Sequence, residues 1–432
     1  MVPHLITALA GPLNELEQRI LDATPVIERW FRLEWMEHTP PIYAAIDIRN
    51  AGFKVAPTDT SLYPTGWHNL ADDVLPLAVQ AAQAAIEKIC PEARNLMIVP
   101  GNGAPGSFYL SSLARLREIF AMAGLNVRFG SIDPALKKNA TYPLPEGEPI
   151  TFEPAQRIGP SALRTGLKYF DPCAILLNDS LSVGAPGILE ELYEQYLLPP
   201  LQAGWTVRRM SRHYRYHEEI CKRFGKLLGI DPWLIHPLFA ACGEIGQGAP
   251  LNAEALREQT GALLTKIRRK YKEYGIRDKP FVFIKARGHL LHLATVHDVK
   301  ELDALLVRLP KGKNSNGKAA FGPVSSEILV QEGVPEAERI HDAEAEPVVY
   351  TIDRYVVGGY YRVRAGQDTG ERTRYVPLAF AGNAQLPRAA QGDTAAPNRF
   401  YLYGVVGRLA LVAASYELEA TDPDMLTLDQ TD

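Results

Sequence analysis

Apolar residues recur at helical spacing through residues 11–36, GPLNELEQRILDATPVIERWFRLEWM, and the pattern stops before HTPP, where proline cannot continue a helix. IYAAIDIRN then reads as a strand, ADDVLPLAVQAAQAAIEKI as a helix with an alanine-rich face, and NLMIVP as a buried strand. GNGAPGS leads into the helix FYLSSLARLREIFAMAG, capped by Gly124, and NVRFGSI resumes as strand. Strand alternating with helix is the pattern of a doubly wound parallel sheet, which binds ligands beyond the carboxyl ends of its strands.

The pattern changes twice more. From about 187 to 275 it is mostly helical, through ILEELYEQYLLPPL, HYRYHEEICKRFGKLLG and LNAEALREQTGALLTKIRRKYKEYG. After 280 it is rich in β-branched and aromatic runs, FVFIKA, SEILVQEGV, PVVYTIDRYVVGGYYRVRA and RYVPLAF, before NRFYLYGVVGRLALVAASYELE (398–419), which reads as an amphipathic helix. The expectation is therefore an α/β chain: an N-terminal doubly wound α/β unit over 1–190, a helical region over 191–275 and an α+β unit over 276–432. Residues 310–320 and 381–397 read as exposed loops.

A chain of 432 residues with 46% apolar residues can bury a large core. The formal charge of −4 offers no general attraction to nucleic acid or to an anionic membrane, so an anion must be held by local clusters. No long apolar run and no basic leader is apparent, which points to the cytoplasm. Cys90, Cys173, Cys221 and Cys242 are widely spaced, and are expected as reduced thiols without a disulfide framework or zinc site.

Three groupings carry chemistry. DIRNAGFKVAPTDTSLYPTGWHNL (47–70) presents Asp47, Arg49, Asn50, Lys54, Asp59 and Thr60 from a loop at a strand end, a mixed-charge set suited to a zwitterion. GWTVRRMSRHYRYH (204–217) gathers Arg208, Arg209, Arg212, His213 and Arg215, whose guanidinium forks pair with carboxylate or phosphate. The third is dispersed: Lys285 on a strand, QEGV (331–334) ending another, and Arg362 with Arg364 two residues apart on one strand face. A solvated surface would account for each of these taken singly.

Together the segments DIRNAGFKVAPTDTSLYPTGWHNL, LNDSLSVGAPGILE, LLPPLQAGWTVRRMSRHY, DPWLIHP, VQEGV, AEPVVYTIDRYVVGGYYRV and NRFYLYGVVGRLALVAA resemble the glutamate–cysteine ligase family of certain proteobacteria. The resemblance implies ATP-dependent joining of the γ-carboxyl of L-glutamate to the amine of L-cysteine, the first step of glutathione synthesis, and an ATP-grasp-like C-terminal half. It implies that Lys285 touches the ATP phosphates, that Gln331, Glu332, Gly333 and Val334 face the adenine, and that Arg362 and Arg364 meet the transferred phosphoryl group. Asp47, Arg49, Asn50, Lys54, Arg208 and Arg209 are the candidates for holding glutamate. Mg²⁺ would be shared between carboxylates and phosphates; Glu417 and Glu419 are candidates beside the reading of a solvated helix end.

Two stretches depart from the family's pattern. Where the family places a glycine-rich loop with a threonine and a tyrosine after the strand lysine, this chain has ARGHLLHLA (286–294); the second departure is 307–325. A shifted reading frame, a decayed gene and a different lid using His289 or His292 are all consistent with them. Another ATP-dependent carboxylate–amine ligase and a catalytically silent binder are the competing readings.

Overall fold

The computed structural model describes residues 11–159, 162–165, 170–245, 252–286, 291–308, 326–340, 343–364, 373–378 and 399–423. In chain order, α1 (Gly11–Asp22) and α2 (Thr24–Glu37) lead to β1 (Tyr43–Asn50), β2 (Val55–Ser61), α3 (Leu75–Ile89), β3 (Asn95–Pro100), α4 (Ser107–Met122) and β4 (Asn126–Ser131). Five short strands follow: β5 (Ala140–Tyr142), β6 (Ile150–Ile158), β7 (Ala162–Thr165), β8 (Ala174–Asn178) and β9 (Tyr196–Leu198). Then come α5 (Met210–Leu228), β10 (Phe239–Ile245), α6 (Ala253–Glu273), β11 (Val282–Ala286), β12 (Leu291–Val296), α7 (Val299–Arg308) and β13 (Ser326–Glu332). The chain closes through β14 (Arg339–Ile340), β15 (Ala343–Ile352), β16 (Tyr355–Val363), β17 (Arg374–Pro377) and α8 (Phe400–Glu419).

These strands build three sheets. The parallel sheet runs β6-β4-β3-β8-β9, with β5 antiparallel at its edge and β7 paired to β6. The first strand does not join it. β1 pairs with β2 on one side and with β15 on the other, in an antiparallel sheet ordered β17-β16-β15-β1-β2. The third sheet, β10-β13-β11-β12, is antiparallel and covered on one face by α6. The chain is thus mixed α/β, and only its 95–198 portion has the expected parallel winding. Strand pairing also crosses the expected boundaries, since strands from before residue 62 and after residue 342 share a sheet.

Two expectations are corrected. The last helix is not amphipathic: fifteen of its twenty residues, from Leu402 to Leu418, are buried. A helix apolar all round belongs inside a protein, and here Ile46, Ile48, Val55 and Val349 of the antiparallel sheet pack in the same core as Val405, Leu409 and Val412. Cys90 and Cys173 are joined in a disulfide, at 6.8 Å between Cα atoms across 83 residues of sequence, whereas Cys221 and Cys242 are free and buried. The cysteines are far apart in sequence, but Cys90 just after α3 and Cys173 just before β8 meet where the two elements enter the same core.

The N-terminal periodicity resolves into two helices. Pro25, inside the first turn of α2, lacks an N–H to continue the α1 ladder, so the run breaks at Ala23. Among the described residues no helix is long and apolar enough to cross a membrane.

Candidate active site

Alternation along the strands explains where the charges gather. On β1, Ala44, Ile46 and Ile48 point to the core beneath α8, whereas Tyr43 and Ala45 face the second core with Val348 and Tyr350. Asp47 and Arg49 continue that second face beyond its apolar part, at the end of the strand. Asp59 on β2 sits directly across from Asp47, and Glu346 on β15 directly across from Arg362. One sheet face is therefore apolar at one end and densely charged at the other.

The charged end is a connected network. Arg362 grips Asp47 with both terminal nitrogens, at 3.0 and 3.1 Å, and reaches Glu346 at 3.3 Å. Arg49 donates to Glu346 at 3.2 Å, and Arg364 donates to the same carboxylate at 3.3 Å. Burial works to raise the Glu346 carboxyl, but Arg49, Arg362 and Arg364 outweigh it and hold it below the ordinary range. Burial raises the Asp47 carboxyl despite the opposing Arg362 guanidinium. The Asp59 side chain makes no ion pair or hydrogen bond among the described residues, and its charge is felt by both Asp47 and Lys285.

The third sheet closes over this network. Phe239, Phe283 and Gln331 lie opposite one another across β10, β11 and β13, and Lys285 follows Phe283 on the same face. The Lys285 ammonium donates to the Thr58 carbonyl of β2, and the Phe283 ring lies beneath the Arg49 guanidinium at 5.1 Å. Burial lowers the Lys285 pKa, with Asp59 and Asp47 opposing that shift. Tyr214 of α5 donates to the same Thr58 carbonyl at 2.7 Å. The Gln331 amide is fully buried near that hydroxyl, yet neither of its polar atoms makes a hydrogen bond of good geometry. A buried amide without partners is costly and marks a place for a ligand or ordered water.

The same alternation removes other candidates from this seam. Glu332 follows Gln331 by one residue and so faces α6, where its carboxylate takes Lys54 at 2.7 Å, Trp233 Nε1 at 3.0 Å and the Leu238 N–H at 2.8 Å. Lys54 is completely buried in that pair, and burial lowers its pKa to about 8. Asn50 is likewise buried: it donates to Glu338 and Tyr403 at 2.9 Å and accepts from the Gly52 N–H. Arg208, 1% exposed, bonds Glu417 at 2.9 Å and the Thr60 carbonyl at 3.2 Å. Arg209 lies at the edge, its side chain paired with Glu244 at 3.3 Å.

Gly333 and Val334 line the turn after β13. A Cβ on Gly333 would fall 2.1 Å from the Phe281 ring, and the Val334 carbonyl accepts from Arg49 at 3.4 Å. The magnesium candidates on α8 are both engaged elsewhere. Glu417 is fully buried between Arg208 and the Arg209 N–H, and so is not at a solvated helix end; Glu419 binds His38 at 2.7 Å and the Thr39 N–H at 3.1 Å.

Three acidic groups complete the seam. Asp59 and Glu346 sit in quoted segments, but strand pairing is what brings Glu346 to Arg49, and Glu336, in the stretch between β13 and β14, is close enough to feel the Arg49 charge. Burial pushes the Glu336 carboxyl up to about 9, and its Oε2 is buried without a hydrogen-bond partner. Of the atypical stretches, residues 287–290 and 309–325 lie outside the described residues, while β12 pairs through its backbone with β11.

A family model described as glutamate-cysteine ligase matches residues 17–418. A crystal structure from Methylobacillus flagellatus KT, named as a gamma-glutamylcysteine synthetase, is 45% identical over 98% of this chain and 100% of that chain, with a TM-score of 0.81. No curated protein matches the chain. The seam of Lys285, Gln331, Arg362 and their acidic partners thus lies in a chain matched along nearly its whole length, and this protein belongs to the glutamate-cysteine ligase family.

Proposed function

We infer that the protein is a glutamate–cysteine ligase, joining the γ-carboxyl of glutamate to the amine of cysteine at the expense of ATP. The observation that carries this reading is the family match over residues 17–418. The seam supplies the chemistry such a reaction needs. A carboxylate is a poor electrophile: its oxygen must first attack the γ-phosphorus of ATP, releasing ADP and leaving an acyl phosphate. The cysteine nitrogen then attacks the acyl carbon, the C–O bond to phosphate breaks, and the nitrogen loses a proton. Catalysis of both steps is by positioning and electrostatic stabilisation.

The residues divide by charge. Lys285, Arg49, Arg362 and Arg364 provide the cationic groups for the phosphates and the transferred phosphoryl group. Burial of the Gln331 amide without a hydrogen bond supports a role toward the nucleotide base, with the Gly333–Val334 backbone beside it. Asp47 and Arg49 remain the candidates for glutamate, and Arg209, whose side chain pairs with Glu244, is kept as a third. Lys54, Asn50, Glu332 and Arg208 would support these groups from behind. Mg²⁺ keeps several waters and takes one or two carboxylates besides phosphate oxygens; Asp59, whose side chain makes no ion pair among the described residues, with Asp47 opposite, would hold it, and the ion would neutralise charge building on the phosphates.

We read the strands after 276 as an ATP-grasp-like nucleotide unit working against a substrate unit contributed by residues before 190. The third sheet's supply of Lys285 and Gln331 supports the nucleotide side of that reading, and Asp47, Arg49 and Asp59 on β1 and β2 the substrate side, with Glu346 and Arg362 reaching the same site from β15 and β16. A cytoplasmic site of action goes with the use of ATP. The test is ADP release measured with each substrate omitted in turn. Release that requires ATP, glutamate and cysteine together is expected; release indifferent to cysteine, or absent altogether, would exclude the assignment.

A further inference from the structure

Away from the seam, α5 and the turn before β10 bring together three side chains that the reaction does not use. His217 and Cys221 lie four residues apart on the buried face of α5, and His236 comes from the turn that follows Trp233. His217 and Cys221 are 0% exposed and His236 3%. Cys221 Sγ is 3.6 Å from His217 Nε2, and His217 Nδ1 is 2.7 Å from His236 Nδ1. Among the described residues this is the only group of three potential ligands whose donor atoms all lie within 4.8 Å of one another.

A hydrogen bond between two neutral imidazoles beside a thiol is the simplest account of such a cluster, but it leaves a polar atom over. His236 Nε2 is buried with no hydrogen-bond partner. We propose that His217, Cys221 and His236 form a binding site for a zinc-class divalent ion, pinning α5 to the turn that leads into the third sheet. Thiolate and imidazole are the donors that zinc prefers over magnesium.

Donor spacing agrees with the chemistry. A tetrahedral zinc with bonds of about 2.3 Å to sulfur and about 2.0–2.1 Å to nitrogen sets S and N donors roughly 3.6 Å apart and two N donors roughly 3.3 Å apart. Cys221 Sγ stands 3.8 Å from His217 Nδ1, the ring nitrogen that also faces His236. The two imidazoles, at 2.7 Å, have to separate by roughly 0.6 Å as the ion takes the place of their shared hydrogen, which passes to the Nε2 of its own ring. Binding releases the Cys221 thiol proton to solvent, and the occupied site then carries a single positive charge. Its charged surroundings are already paired: Lys54 with Glu332, and Arg208 with Glu417. His213, one turn earlier on α5, has its ring 6.4 Å from that of His217, and a small ligand would complete the tetrahedron.

Because the site is buried, it is best loaded during synthesis. The full chain is expressed in cobalt-supplemented medium and its metal content and absorption spectrum are read, with Cys221→Ala, His236→Ala and Cys242→Ala alongside. About one cobalt per chain, with a thiolate-to-cobalt band that survives Cys242→Ala and disappears in Cys221→Ala, is the expected result. A wild-type chain that binds nucleotide but holds no cobalt, or a cobalt band kept in Cys221→Ala, overturns the proposal. Should the Cys221 or His236 variants fail to fold, wild type and Cys242→Ala still decide it: absence of the band from either one overturns the assignment.

Discussion

Glu417→Gln separates a structural carboxylate from a magnesium ligand. In the structure Glu417 is fully buried, bonds Arg208 at 2.9 Å and accepts from the Arg209 N–H at 3.0 Å. Burial alone would raise its carboxyl, but Arg208 and His213 outweigh burial and bring it down to about 2 from an ordinary 4.5. At about 1.4 kcal/mol for each tenfold change in proton affinity, that fall is worth about 3 kcal/mol of stability. Removing one partner of a buried pair costs about 3–5 kcal/mol by independent reasoning, because the remaining charge is stranded. For 432 residues, an unfolding entropy of about 0.9 kcal/mol/K turns about 3 kcal/mol into a Tm lowered by about 3–4 °C. The sign in pH follows from the depressed folded pKa: the contribution is complete above the unfolded value of 4.5 and is lost as pH falls toward about 2. The gap between wild type and Glu417→Gln in urea unfolding should therefore narrow, by about 1 kcal/mol between pH 7 and pH 3.5. The magnesium dependence of turnover should be unchanged. A variant as stable as wild type, a gap that does not move with pH, or a raised magnesium requirement would each refute this account.

Lys285→Met should cut turnover by about 10²–10³-fold, with glutamate affinity measured by calorimetry little changed, since a preorganised cation aimed at the phosphates is lost. Gln331→Leu removes an amide with no hydrogen bond of good geometry among the described residues, so urea unfolding should shift by less than about 1 kcal/mol. Its nucleotide affinity should fall about tenfold, equivalent to about 1.4 kcal/mol. Arg362→Lys keeps the charge but cannot grip Asp47 with two nitrogens, and steady-state kinetics should show a lower kcat than wild type at saturating substrates. Reducing the Cys90–Cys173 bond, which spans 83 residues, should lower stability by about 2–4 kcal/mol, read from thermal unfolding with and without reductant.

Period-two alternation was the most informative local signal. It decides that Gln331 faces the seam while its neighbour Glu332 faces α6, although both stand in the same QEGV segment. What alternation does not reveal is which strand lies alongside. Glu346 becomes part of the site because β15 pairs with β16 and β1, and nothing in AEPVVYTIDRY announces it. Lys54 and Arg208 looked like substrate ligands because charge in a strand-end loop or beside a turn usually meets solvent. Their carboxylate partners, Glu332 and Glu417, lie 278 and 209 residues away, too distant for any local pattern to pair them.

By itself the sequence determined the elements and the family: helical and strand periodicities are set by neighbours a few residues apart, and long quoted segments carry ancestry. Tertiary structure decided the rest. It drew β1 and β2 away from the parallel sheet to pair with the C-terminal strands, made an apparently amphipathic helix the centre of the core, and joined two distant cysteines. Those outcomes depend on burying apolar surface and pairing charge between segments hundreds of residues apart, a global balance that no local window of sequence contains.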